Sequence, residues 1–255
     1  MIATDWPIVI LVPGVAGVLG LLAARAGRGR AGGAMIEALA TGVLVGLLVG
    51  LVPRLTGSLT VVLAQLLPSV QPEVRSRVGS IGPVIIQNLV AALVIGVYLV
   101  SMWAQRRRTA PHAEHLLPAR VFAVALMVYA LADGLATGAS SLSITLSPEL
   151  LGGIVLAHVC RGLALGAASS GGIVWLLAAA VLGGPLDFLA RNVARGLGFE
   201  TASLVAALVS AGAVGLLVLL IAQLVGPGLG SGLRRLPLTG FVAGLALSLL
   251  SARLR

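Results

Sequence analysis

Long apolar runs separated by short polar stretches recur along the whole chain. Eight can be drawn, at roughly 7–24, 34–52, 81–103, 119–143, 150–170, 172–190, 200–225 and 236–251. Each is near the ~20 residues that a helix needs to cross a hydrocarbon core. The pattern predicts an all-α polytopic membrane protein with eight transmembrane helices, forming a single transmembrane domain over 1–255. Only Ser169-Ser170-Gly171-Gly172 separates the fifth run from the sixth. The stretch Leu59–Leu67, between Pro53 and Pro72, is too short to span and reads as an interfacial helix.

Composition agrees with the runs. Hydrophobic residues make up 58% of the chain and charged residues 10%, with 34 glycines. No soluble domain needs so large an apolar fraction. All 17 basic residues are arginine. They sit in short loops between runs rather than on one soluble face, which argues against a nucleic-acid partner. The expected surroundings are the lipid bilayer, with a homo-oligomer or another membrane protein as the remaining class of partner. The segment Met1–Pro7 carries Asp5 and no basic region, so no cleaved signal peptide is expected.

Loop arginines orient the chain. With both termini outside, cytoplasmic loops hold nine arginines, and outside loops and tail hold seven, Arg54 and Arg191 among them. That bias, with Arg106–Arg108 beside Trp103 as its best anchor, predicts an integral protein of the cytoplasmic (inner) membrane.

Two runs carry a charge in the same place. One reads Ala132-Asp133-Gly134-Leu135-Ala136-Thr137-Gly138-Ala139; the other reads Cys160-Arg161-Gly162-Leu163-Ala164-Leu165-Gly166-Ala167. Charge inside an apolar run is costly and implies pairing or function. Asp133 reads either as a structural ion pair with Arg161 or as a cation ligand or proton-coupling carboxylate. Helical spacing puts Tyr129 on the face of Asp133, and His158 on the face of Arg161. His158 reads as a hydrogen-bonded core histidine or a metal ligand, and Cys160 as a small buried hydrophobe. The short link 144–149 makes the two runs antiparallel neighbours, with Gly134, Gly138, Gly162 and Gly166 allowing close approach.

The other intramembrane polar residues are Glu37, Gln87, Asn88, Asp187 and Gln223, with Glu37 and Asp187 expected at solvated span ends. His112 and His115 form a weak loop signal for metal capture. A second echo links Thr41-Gly42-Val43-Leu44-Val45-Gly46, ahead of Pro53, to Ala211-Gly212-Ala213-Val214-Gly215, ahead of Pro227. The two spans run in opposite directions, as an inverted repeat requires.

These motifs resemble the ZIP family of divalent-metal transporters. The family's fourth helix carries His-Asn-x-x-Asp/Glu-Gly-Leu-Ala-x-Gly, where this chain reads Tyr129-Ala130-Leu131-Ala132-Asp133-Gly134-Leu135-Ala136-Thr137-Gly138. Its fifth carries His-Glu-x-Pro-Glu-Gly-Leu-Ala-x-Gly, where this chain reads Ala157-His158-Val159-Cys160-Arg161-Gly162-Leu163-Ala164-Leu165-Gly166. The resemblance implies eight helices, both termini outside, inverted three-helix repeats, and a metal site between the fourth and fifth helices. Asp133 keeps its acid, while Tyr129, Ala130, Ala157, His158, Cys160 and Arg161 replace family ligand-motif residues. Arginine puts a permanent cation where the family binds one.

Two functions follow as expectations. The first is a ZIP-like transporter with an altered site, moving a divalent metal (Zn, Fe or Mn) as substrate, with Asp133 and His158 as its remaining ligands. The second is a non-transporting ZIP-fold subunit or scaffold in which the Asp133–Arg161 pair replaces the metal. No resident cofactor is implied. An enzyme is not expected, since His158 and Cys160 lie two apart on different helix faces.

Overall fold

The computed structural model describes residues 6–27, 33–66, 119–140, 148–167, 172–230 and 238–254. Among them are helices α1 (Trp6–Ala26), α2 (Gly33–Leu66), α3 (Ala119–Ser140), α4 (Pro148–Gly166), α5 (Ile173–Gly196), α6 (Phe199–Gly230) and α7 (Leu238–Arg253). No strand occurs among the described residues. The run 81–103, with Gln87 and Asn88, and the loop histidines His112 and His115 lie outside the described residues.

Four helical segments are long and apolar enough to cross a membrane: Gly33–Val62, Ala119–Gly138, Ile173–Gly196 and Phe199–Ala222. They mark an integral membrane protein. The shorter apolar stretches Leu11–Ala26, Leu151–Gly166 and Leu238–Arg253 lie in α1, α4 and α7.

Two boundaries differ from the sequence expectation. α2 does not stop at Pro53; it runs through it to Leu66, so no separate interfacial helix begins at Leu59. A proline inside a helix loses one backbone bond and leaves a carbonyl one turn back without its donor. Here the freed carbonyl is that of Val49, and the apolar side chains on either side of the proline, Leu51 and Leu55, are buried and keep the helix packed. α5 likewise continues past residue 190 to Gly196, which brings Asp187 and Arg191 into the helix rather than to a solvated end. The turn before α5 is made by Gly172, at φ 81°, a left-handed conformation that glycine adopts without steric cost.

The helices meet in matched pairs. α3 packs on α5 and α6, α1 on α4 and α5, and α2 on α7 and α6. The glycines do not join α3 to α4, as the short link 144–149 suggested. Gly134 and Gly138 sit against the α5 backbone at Asp187 and Arg191, and Gly162 and Gly166 sit against α1 at Gly17, Leu21 and Ala24. The reason is geometric. Adjacent residues on a helix point about 100° apart, so Asp133 and Gly134 cannot face the same neighbour, nor can Arg161 and Gly162. Each glycine docks its helix on one neighbour and leaves the charge before it aimed elsewhere.

The resulting core is mostly aliphatic. Leu44, Leu47, Leu51, Leu55, Phe122, Leu165, Leu176, Leu217 and Leu220 are fully buried within one cluster.

Candidate functional site

Three helices aim charge at one point inside this core. On α3, Tyr129, Asp133 and Thr137 lie four residues apart along a single stripe. α4 contributes His158 and Arg161, three residues apart, and α2 contributes Arg54, the residue after Pro53.

Asp133 is the hub. Arg161 Nη2 donates to Asp133 Oδ2 at 2.7 Å, and Arg54 Nη1 donates to Asp133 Oδ1. Arg54 Nη1 also donates to Thr137 Oγ1 at 3.2 Å, and Thr137 Oγ1 donates to the Asp133 carbonyl at 2.6 Å. Both carboxylate oxygens are therefore held by guanidinium groups. Asp133 and Arg161 are buried, whereas the Arg54 side chain keeps 27% of its surface exposed. The Arg161 guanidinium carbon stands 4.9 Å from the centre of the Tyr129 ring, within cation–π range.

His158 is occupied on both ring nitrogens. Arginine only donates, so the 3.1 Å contact from Arg161 Nη1 makes His158 Nε2 an acceptor. Nδ1, 2.9 Å from the Ile154 carbonyl, then carries the proton. The network thus assigns a neutral imidazole of one tautomer.

The residues singled out from sequence, Tyr129, Asp133, His158 and Arg161, converge here. Sequence reasoning missed Arg54, which it placed in an outside loop because Pro53 was read as a span end. It also missed a second buried pair, in which Arg191 Nη2 donates to Asp187 Oδ2 at 3.0 Å within α5. The i,i+4 spacing of these two residues was the available signal.

The donor set suits a divalent metal poorly. Such an ion takes deprotonated oxygen, sulfur or neutral imidazole ligands. Asp133 and His158 are both engaged by Arg161, and no group of three His, Cys, Asp or Glu residues gathers among the described residues. Cys160 is buried next to Arg161 in sequence but lies on another face of α4.

Beside the bridge, between α2, α3 and α7, is a cavity of about 10 Å³. It is lined by Gly46, Leu47, Gly50, Arg54, Tyr129, Ser248 and Ala252, and has room for about one water.

No family model, curated protein or solved structure matches this chain.

Proposed function

We propose that this chain is a membrane protein built on a ZIP-like plan, whose central site has exchanged a transported cation for an internal ionic bridge. In this reading the protein does not carry Zn, Fe or Mn. Instead the Arg54–Asp133–Arg161 bridge fastens α2, α3 and α4 to one another, as a non-transporting subunit or scaffold requires. One observation carries the reading: both oxygens of the surviving acid are held by arginines. A divalent ion would have to break both bonds and then sit beside two permanent positive charges.

Helix docking supports the eight-span inverted plan. The glycines after Asp133 seat α3 on α5, and the glycines after Arg161 seat α4 on α1. A two-fold exchange of α3 with α4 and of α5 with α1 relates these contacts, as an inverted repeat would. The eight-span plan takes the apolar run 81–103, outside the described residues, as its remaining span. Arg54, Arg191, Arg195 and Arg253 lie within helices, as do Arg25 and Arg120, and setting all six aside leaves three outside arginines against seven inside. Both termini outside an inner membrane is the orientation that follows. No catalytic role is part of the proposal.

A second reading, movement of a small solute by alternating access, is favoured by Arg54, which is partly exposed at a cavity touching the bridge. Uptake into proteoliposomes separates the two. We expect no accumulation of Zn, Fe, Mn, Co, Ni or Cd above that of empty vesicles. Saturable uptake of any of them, abolished by Asp133→Asn, would overturn the proposal.

A further inference from the structure

The bridge is not neutral. Among the described residues two guanidinium groups face one carboxylate, and His158 is uncharged in the tautomer that its contacts assign, so one positive charge is left over among them. The other deeply buried acid among the described residues, Asp187, is held by Arg191 on its own helix. A net charge inside an apolar core is costly and calls for a counter-charge.

Among the described residues, Arg161 Nε is buried without a hydrogen-bond partner away from the cavity, and further unused donors lie beside the cavity itself. Arg54 spends Nη1 on Asp133 and Thr137, and its Nε and Nη2 make no hydrogen bond among the described residues. Ser248 Oγ is buried and likewise lacks a partner among the described residues. Arg54 and Ser248, from α2 and α7, line the same small cavity. Buried hydroxyls are nearly always hydrogen-bonded, and an unpaired one beside excess positive charge implies something that accepts.

We infer that this cavity binds a small inorganic anion of halide size, held by Arg54 and the Ser248 hydroxyl. The remaining walls, Gly46, Leu47, Gly50, Tyr129 and Ala252, are small, apolar or aromatic and leave no room for a polyatomic organic anion. A halide fits once the flexible stem of Arg54 draws back slightly, and it completes the charge balance that Asp133 leaves unfinished. The inference stands whether the bridge only holds helices or also opens to move a solute.

Thermal unfolding of the purified full-length chain in detergent tests it, with chloride or bromide compared against gluconate at equal ionic strength. The expected result is a saturable rise in the midpoint with halide and none with gluconate. Ser248→Ala should weaken the apparent halide affinity several-fold, and Arg54→Gln should abolish the shift. Arg25→Gln, a partly buried arginine elsewhere, should keep it. Equal midpoints in halide and gluconate, as a cavity holding only water gives, would overturn the inference. So would a halide response that survives Arg54→Gln. If Arg54→Gln does not fold, Ser248→Ala decides alone, since an unchanged halide affinity in that variant also overturns it. Metal uptake in proteoliposomes has no bearing on either outcome, so this inference and the proposed function fail independently.

Discussion

Arg161 reaches Asp133 across 28 positions of chain, Nη2 to Oδ2 at 2.7 Å, while its Nη1 holds His158 on its own helix at 3.1 Å. One guanidinium therefore does two jobs. It neutralises the acid of α3, and it occupies the Nε2 nitrogen of the imidazole. Removing arginine from this point would take one bond from the carboxylate, which Arg54 still holds, and one from the imidazole.

The bridge should rank its members by burial. Asp133→Asn keeps the shape of the side chain but leaves two arginines without a counter-charge, and should cost about 3–5 kcal/mol, as breaking a buried pair does. Arg161→Met should cost a similar amount by stranding Asp133. Arg54→Gln should cost about 1 kcal/mol or less, because Arg54 is the more exposed partner and its loss leaves Asp133 and Arg161 paired one to one. Chemical unfolding in detergent gives the order, and a cost for Arg54→Gln equal to that of Asp133→Asn would contradict it.

His158 should tolerate glutamine better than leucine. Glutamine still offers an oxygen to Arg161 Nη1, whereas leucine leaves that donor buried and unpaired, at about 1–3 kcal/mol. Nitrogen-15 shifts of the imidazole should report protonation at Nδ1, the nitrogen facing Ile154. An Nε2-protonated ring would contradict the assigned network.

The apolar runs, the all-helical class and the convergence of Asp133 with Arg161 were legible in the sequence. Spans follow from hydropathy, and a charge in an apolar run needs a partner. Arg54 was not legible, because proline usually ends a helix and here it does not. Only packing reveals that Leu51 and Leu55, on either side of Pro53, are buried and keep α2 going. The docking partners of Gly134 and Gly162 were also hidden. A short link fixes which helices follow one another but not which face each turns to its neighbour. The buried Asp187 was misread for a related reason: α5 outlasts its apolar run by a turn, and that turn carries its partner Arg191.

Glycine substitutions should divide by environment. A Cβ on Gly162 falls on the backbone of Gly17 and Leu21, so Gly162→Val should push α4 off α1 and abolish a monodisperse protein on size exclusion. Gly212, on α6, has open space where a Cβ would go. Gly212→Ala should therefore be stabilising by about 0.5–1 kcal/mol, the helix-propensity difference between the two residues. A loss of stability there would mean that another helix covers this face of α6.

The pair within α5 should respond differently from the central bridge. Arg191 Nη2 holds Asp187 Oδ2 at 3.0 Å, yet Asp187 Oδ1 and Arg191 Nε, both buried, lack a hydrogen-bond partner among the described residues. A buried pair with unmet atoms recovers little of its desolvation cost, and apolar replacement of both members is often neutral or stabilising. Arg191→Leu alone strands the acid and should cost about 3–5 kcal/mol, and Asp187→Leu alone strands the base at similar cost. The double variant Asp187→Leu/Arg191→Leu should return to within about 1 kcal/mol of the parent or exceed it. A double variant as unstable as the two singles combined would show that α5 depends on the charges themselves.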